Sequence, residues 1–175
     1  MYLASDSLLT GDFDIYVSTR ASRQSPWSVP VRVVELSSSS SDEASAIASD
    51  GTTIYLDSTR LVASFDKLFV ATRPDPASAW SMPSLIAELD GPGEEETPFE
   101  EASGLALWFS NDLGSGRDIY VATRAADTLP WSSAVRVDEL SSPSHDDDPW
   151  VSPDGNTIYF TSERSGSQRI YMSTR

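Results

Sequence analysis

Three pairs of acidic residues recur along this 175-residue chain at a nearly constant spacing. The first members of the pairs are Asp42, Glu95 and Asp146, and the second members are Glu43, Glu96 and Asp147. Carboxylate oxygens are the ligands that hard cations such as Ca²⁺ prefer, and clustered carboxylates also attract partners that carry Lys or Arg. If the fold brings the pairs together, we expect an acidic binding site for a calcium ion or a cationic ligand.

Two other interpretations of these acids remain open. Acids at the entry of a strand commonly accept hydrogen bonds from backbone amides of the adjoining loop, which is a purely structural role. Paired carboxylates also hydrolyse glycosides, but that reaction needs one raised and one ordinary pKa in a closed pocket. Because the pairs fall in Ser- and Gly-rich stretches, we expect ordinary solvated carboxylates, no catalytic residue and no enzymatic activity.

The rest of the chain offers few residues for catalysis or metal binding. It has no cysteine, and its only histidine, His145, has no equivalent in the other repeats. No P-loop, dinucleotide-binding glycine pattern, metalloprotease helix or nucleophile elbow occurs. We therefore predict no cofactor, with Ca²⁺ as the one metal that the acids suggest.

The charge of the chain limits its partners. Its 27 acidic and 12 basic residues give a formal net charge of −15. Phosphate backbones require clustered Lys and Arg, so we expect no binding to nucleic acid or to anionic membrane surfaces. No apolar run suits membrane insertion, and the first residues lack the pattern of a signal peptide. Proteins, cationic ligands and neutral carbohydrate remain, although the acidity could simply keep the protein soluble.

The acids are embedded in a repeat whose period predicts the fold. A seven-residue motif ends at Arg20, Arg73, Arg124 and Arg175, at spacings of 53, 51 and 51 residues. Trp27, Trp80 and Trp131 keep the same phase. A period near 50 residues is typical of propeller blades and too long for ankyrin, tetratricopeptide or leucine-rich repeats.

Each repeat is predicted to form four short antiparallel strands. Asp50-Gly51 and Asp154-Gly155 separate apolar runs, which is a strong hairpin signal, and Ser103-Gly104 stands in the equivalent place. The first, inner strands are predicted at 44–49, 98–102 and 148–152. The six acids would then lie just before these strands, at one rim of a central channel.

We therefore predict an all-β chain that forms one β-propeller domain or part of one, with about 3.5 four-stranded antiparallel blades. The repeat units span about 1–41, 42–94, 95–145 and 146–175. Aligning them gives three, four, four and three strands, fourteen in all. This count leads us to expect either a piece of a longer propeller or a subunit that completes its ring by self-association.

The repeated Trp and Arg residues have structural and functional interpretations. An exposed indole could stack on sugar rings, but we expect Trp27, Trp80 and Trp131 to pack between adjacent blades. A ring of guanidinium groups could bind an anionic ligand, but we expect the arginines that end the four motifs to bridge to a neighbouring blade.

The last repeat carries a family resemblance. With the hairpin Ser152-Pro153-Asp154-Gly155, the following Ile158-Tyr159-Phe160 and the closing Ile170-Tyr171-Met172, the chain resembles the TolB-type, WD40-like propeller repeat family. The third unit departs from the pattern, with Glu100, Glu101 and Ala102 in its inner strand. The resemblance implies a periplasmic, secreted or cell-surface propeller that acts as a non-enzymatic scaffold for protein or ligand binding.

Three functions are thus compared. The leading hypothesis is a TolB-like binding scaffold whose acidic channel rim is the contact surface. The runner-up is part of a carbohydrate-binding or glycoside-hydrolysing propeller enzyme. The third is a structural part-propeller that assembles into a ring, since a propeller fold by itself implies no reaction.

Overall fold

The protein is built from β-strands alone wherever its structure is described. The computed structural model describes residues 1–6, 11–62 and 65–175. These residues form fourteen strands and no helix, and so no helix that could cross a membrane. The all-β prediction is confirmed, and the described strands divide among sheets as three, four, four and three.

Each sheet is antiparallel, and its strands follow one another in chain order. The first sheet contains β1 (Tyr2–Ser5), β2 (Asp14–Val17) and β3 (Val31–Arg32). The second contains β4 (Asp42–Ile47), β5 (Thr53–Val62), β6 (Phe65–Thr72) and β7 (Ser84–Leu85). The third contains β8 (Glu94–Glu100), β9 (Ala106–Asp112), β10 (Arg117–Thr123) and β11 (Val135–Arg136). The fourth contains β12 (Asp146–Val151), β13 (Thr157–Ser162) and β14 (Arg169–Thr174).

The strands form because apolar side chains occupy both faces of the middle sheets. In β5, Ile54 and Leu56 pack in a core shared with the first sheet, whereas Tyr55 packs in a core shared with the third sheet. Successive side chains of a strand point to opposite faces, so a strand with bulk at every position needs cover on both sides. Each pair of consecutive sheets therefore encloses a hydrophobic core.

The sheets pack in series through their first strands. Strand β4 contacts β1 and β2 of the sheet before it, β8 contacts β4, β5 and β6, and β12 contacts β8, β9 and β10. Among the described strands, the first and fourth sheets do not contact each other. The acid-bearing strands β4, β8 and β12 consequently lie side by side.

The predicted hairpin turns are present between the first and second strands of three sheets. Gly155 has φ of +71° and donates from its amide to the carbonyl of Ser152 at 2.8 Å. Gly51 and Gly104 occupy the equivalent turns, also with positive φ. A side chain at such a φ would be strained, which explains glycine at all three places.

The starts of the inner strands differ from the prediction. Strands β4, β8 and β12 begin at Asp42, Glu94 and Asp146, two to four residues earlier than expected. The six predicted acids are therefore strand residues, not loop residues. Asp is uncommon in strands on propensity grounds, but tertiary contacts override propensity here.

Candidate functional site

The position of the acids within strands separates each pair onto opposite faces, because side chains alternate along a strand. We call the first members the buried row (Asp42, Glu95 and Asp146), since at most 1% of each side chain is exposed. We call the second members the accessible row (Glu43, Glu96 and Asp147), since each keeps solvent exposure. The two rows have different partners.

Asp42 shows what holds the buried row. Its carboxylate accepts hydrogen bonds from Arg60 Nη2 at 2.5 Å, from Ser58 Oγ at 2.5 Å and from the backbone amide of Ser38 at 2.5 Å. Arg60 also donates to the carbonyl of Leu36 at 2.8 Å. Because Leu36 belongs to the first repeat unit, this ion pair joins two consecutive units.

Asp146 repeats this arrangement in the fourth sheet. Arg164 Nη2 lies 2.7 Å from the Asp146 carboxylate and also donates to the carbonyl of Leu140. The amide of Ser142 donates to Asp146 at 2.5 Å. Burial alone would raise the pKa of Asp146, but hydrogen bonds from Arg164, Ser162 and Ser142 outweigh it and lower the pKa.

Glu95 is held by a different cation, because Leu113 occupies the position of Arg60 and Arg164 in the third unit. Lys67, from the preceding sheet, lies 2.8 Å from Glu95 and donates to the carbonyls of Gly91 at 2.7 Å and Gly93 at 2.8 Å. The amide of Gly91 donates to Glu95 at 3.2 Å. All three acids of the buried row thus accept a loop amide and pair with a cation, which leaves them inaccessible to an external ligand.

Two members of the accessible row, Glu96 and Asp147, converge on Arg117 of β10. Arg117 forms a two-point ion pair with Glu96, with Nη2 at 2.9 Å from Oε1. Its Nε lies 3.6 Å from Asp147, and its Nη2 lies 3.8 Å from Glu94. Thr97 Oγ1 donates to Asp147 at 3.1 Å, which links the third and fourth sheets. One guanidinium therefore faces three carboxylates.

Asp66 of β6 joins this group, although its sequence position gave no sign of it. One carboxylate oxygen from each of Asp66, Glu94 and Glu96 lies within 4.8 Å of the others. Burial, and then the charges of Glu94 and Glu43, raise the pKa of Asp66 to about 6. Burial also raises the pKa of Glu96 to about 7, with Arg117 opposing and Asp147 and Glu94 adding to the shift.

Glu43 and Asp148 extend the group across the inner strands. Desolvation raises the pKa of Glu43, and the charge of Asp148 adds to the shift. Desolvation and the charge of Asp147 raise the pKa of Asp148. We define the acidic patch as these two residues with Asp66, Glu94, Glu96 and Asp147, arranged around Arg117.

A β-bulge in each inner strand shapes the patch. The pairing register shifts between Ala44 and Ala46, between Glu96 and Phe99, and between Asp147 and Trp150. Thr97 and Asp148 stand at equivalent places in two of these bulges, and both have φ of +53°. Bulges bend a strand and redirect its side chains, which is how the patch gathers acids from neighbouring sheets.

The patch contains the donors that a cation requires. Asp66, Glu94 and Glu96 are the described residues whose carboxylates lie close enough to share one hard cation. A Lys or Arg side chain would satisfy the same oxygens by charge-assisted hydrogen bonds. His145 lies outside this cluster of three. Its Nδ1 accepts a hydrogen bond from the amide of Arg117 at 3.3 Å.

The repeated Trp and Arg residues lie away from the patch. Trp80 and Trp131 are buried between sheets as predicted, whereas Trp27 is exposed. The guanidinium carbons lie 4.1 to 4.3 Å from the ring centroids in the pairs Arg20–Trp27, Arg73–Trp80 and Arg124–Trp131. Each of these three arginines stacks within its own unit. Arg124 donates to Glu100 Oε1 at 2.7 Å, and the same oxygen accepts a hydrogen bond from Tyr55 of the preceding unit at 2.8 Å. Arg175 lies 3.4 Å from Glu101 of the neighbouring unit.

Comparison with known proteins supports the fold and identifies no function. No protein-family model matches the chain, and no curated protein sequence matches it. The solved structure of a candidate TolB from Agrobacterium tumefaciens matches 99% of the chain with a TM-score of 0.60 at 16% sequence identity. The chain spans 58% of the length of that protein. At this identity the likeness concerns the fold alone.

Proposed function

We propose that this chain is a non-enzymatic binding scaffold with propeller architecture, whose acidic patch binds a cationic segment of another protein. Sheets that pack in series with their first strands adjacent are what blades around an axis require. The similarity to the Agrobacterium protein supports the same arrangement. The function is argued from the patch, because a fold alone does not specify one.

The observation that carries the proposal is the imbalance of charge in the patch. The patch holds six carboxylates from three sheets, of which Glu94, Glu96 and Asp147 face Arg117. The pKa values of Asp66 and Glu96 are raised to about 6 and 7. A raised pKa means that the ionised form is disfavoured where it stands. A bound cation would stabilise the ionised form, so the charge of a Lys or Arg side chain offsets both the repulsion between the carboxylates and the cost of their desolvation.

Calorimetric titration with a short Lys- and Arg-containing peptide tests the proposal. We expect saturable binding that weakens with salt, and proton release at pH 6 to 7 because binding lowers the pKa values of Glu96 and Asp66. Proton release is read from the dependence of the heat on the ionisation enthalpy of the buffer. Titration with CaCl₂ in parallel tests whether Ca²⁺ binds to the same acids.

A charge-matched pair of variants makes the test specific. We expect Glu96→Gln with Asp147→Asn to weaken peptide binding about tenfold or more, since the patch loses two carboxylates and keeps the positive charge of Arg117, which repels a cationic peptide. Glu35→Gln with Glu139→Gln removes the same charge from exposed positions outside the patch and should change binding less than about twofold. If the two double variants have equal effects, peptide binding depends on the net charge of the protein and not on the acidic patch. Absence of peptide binding would contradict the proposal.

Glycan hydrolysis is the competing function, and one observation favours it. Asp66, Glu94 and Glu96 are as close as the carboxylates of a retaining glycosidase, and the pKa of Glu96 is raised as a general acid requires. Chromogenic glycosides and a glycan array test this alternative. Glycoside turnover that is lost in both Glu96→Gln and Asp66→Asn would show that the protein is an enzyme and contradict the scaffold function.

The location, assembly and partners of the protein are proposed on the repeats and on the charge. We propose a periplasmic or secreted location, on the family resemblance of the repeats. We also propose that the open series of sheets is continued, either in a longer propeller or by self-association into a ring. Proteins and cationic ligands are the partners that the charge favours, and nucleic acid is not.

A further inference from the structure

The outward face of the fourth sheet exposes a row of large apolar side chains. Trp150, Tyr159, Ile170 and Met172 are 44%, 40%, 76% and 59% exposed. The strand register places Trp150, Tyr159 and Met172 directly across from one another, and Ile170 lies two residues from Met172 on the same face. We call these four residues the terminal face. A contiguous apolar surface of this kind marks an interaction site.

The positions equivalent to Tyr159 and Ile170 are buried in the two preceding sheets. Tyr55 and Leu68 of the second sheet are 1% and 2% exposed, and Trp108 and Ile119 of the third sheet are 7% and 0% exposed. The sheet that follows covers them. Leu107, Phe109 and Trp131 of the third sheet, for example, pack in one cluster with Tyr55 and Leu68. This face is therefore covered wherever a further sheet follows it in the described chain.

The first sheet carries the residue types that supply this cover. By repeat alignment, Met1, Leu3 and Trp27 stand where Leu107, Phe109 and Trp131 stand in the third sheet. Met1 and Trp27 are 57% and 43% exposed, whereas Trp80 and Trp131 are 6% and 8% exposed. The first sheet thus presents an incomplete half of the same interface.

One contact shows how the two halves fit. Between the first and second sheets, Trp80 Nε1 donates to Tyr2 Oη at 3.0 Å, and the two rings meet edge to face at 6.0 Å between centroids. Tyr159 is the equivalent of Tyr2 in the fourth sheet, and Trp27 is the equivalent of Trp80 in the first. Within the described chain these two sheets do not touch, so this contact is not made internally.

We infer that the terminal face of one copy binds the first sheet of a second copy, head to tail, with Trp27 of the second copy against Tyr159 of the first. The evidence is that the described chain forms this type of junction three times within itself. Such a contact joins two different surfaces, so copies either close into a ring or add in series. The inference is independent of what the acidic patch binds.

Sedimentation velocity over a range of protein concentrations tests the inference on the 175-residue chain. We expect the mass to rise above the 19.0 kDa of one chain as concentration increases. Ile170→Glu should weaken association about tenfold or more, because it places an unpaired charge in the centre of the contact. Met82→Glu is the matched control: Met82 is 74% exposed in the segment just before β7 of the second sheet, and its substitution should leave association unchanged.

Mixing two variants distinguishes head-to-tail binding from symmetric pairing of two terminal faces. Trp27→Glu and Ile170→Glu should each prevent self-association, but a mixture should form a 1:1 complex, because each variant retains the surface that the other has lost. If Trp27→Glu associates like the unchanged chain, the terminal face pairs with itself and the head-to-tail inference is wrong. Met172→Glu repeats the test at a second exposed position, with circular dichroism to verify folding.

A mass of one chain at every concentration would overturn the inference outright. Binding of the terminal face to lipid vesicles or to an unrelated protein, without self-association, would overturn it as well. The inference and the proposed function fail separately, since Glu96→Gln should not alter sedimentation and Ile170→Glu should not alter peptide binding.

Discussion

The buried row and the accessible row differ by one residue position along the same three strands, yet their carboxylates have different surroundings. Asp42 has its own arginine, a serine hydroxyl and a loop amide within hydrogen-bond distance. Glu96 and its acidic neighbours instead share Arg117. The charges of the buried row are neutralised by cations inside the fold. The accessible row keeps a surplus of negative charge that an external cation could neutralise.

This difference teaches that residue type and spacing do not by themselves identify a binding site. Both rows are acidic, and both recur in phase with the repeat. A buried carboxylate that is fully paired contributes to the junction between units, and removal of either partner leaves an uncompensated charge. A crowded carboxylate is destabilised in its ionised form, which makes it receptive to a cation.

The largest expected effect comes from removing one charge of the buried row. Asp42→Asn should lower the free energy of unfolding by about 3 kcal/mol, because Arg60 loses its counter-charge while remaining largely buried. Urea denaturation at pH 7 measures the change. Glu43→Gln, one residue along, should change stability by less than about 0.5 kcal/mol. A similar loss in both variants would contradict the distinction between the rows.

The pH dependence of stability should also distinguish Glu96 from Asp146. The folded-state pKa of Glu96 is raised to about 7, so the folded state holds this proton more tightly than the unfolded state does. Its contribution is fully present below the unfolded pKa, near 4.5, and is lost as the pH rises through 7. We expect the free energy of unfolding to fall by about 1–3 kcal/mol between pH 5 and 7 from Glu96 and Asp66 together.

Within the buried row, Asp146 gives the opposite sign in another pH range. The pKa of Asp146 is lowered, so its contribution is present above the unfolded pKa, near 3.8, and is lost only as the pH falls through the still lower folded pKa. Glu96→Gln should therefore flatten the decline between pH 5 and 7 and leave the acid transition unchanged. Urea midpoints measured across this range would contradict the assignment if the variant kept the full decline.

The smallest expected effect comes from a substitution in the acidic patch, next to the accessible row. Asp148→Asn removes the charge that helps raise the pKa of Glu43, and asparagine tolerates the φ of +53° at this position. The hydrogen bond from Thr161 can be kept by the amide oxygen. We expect a gain of about 0.5 kcal/mol in stability at pH 7 and a lower pKa for Glu43 in an NMR titration. Glu139→Gln, an exposed acid outside the patch, should leave the pKa of Glu43 unchanged.

Much of the fold could be predicted because it depends on local patterns. The Asp50-Gly51 and Asp154-Gly155 turns, the alternation of side chains and the repeated seven-residue motif all act within one unit. The start of each inner strand was misplaced because Asp42 and Asp146 have low strand propensity, and their burial depends on Arg60 and Arg164, eighteen residues away. The stacking of each arginine on its own tryptophan was also missed, since it depends on how the loop between them folds back.

The sequence by itself determined that similar strands recur in every repeat and that a pair of acids accompanies three of them. Strand periodicity and turn formation depend on residues that are neighbours in the chain. Only the tertiary structure decided which acid of each pair is buried and that Asp66 joins the acidic patch. Those outcomes depend on the phase of the pleat, on the bulges and on how sheets stack. Desolvation and charge repulsion act between groups that are distant in the chain and close in space.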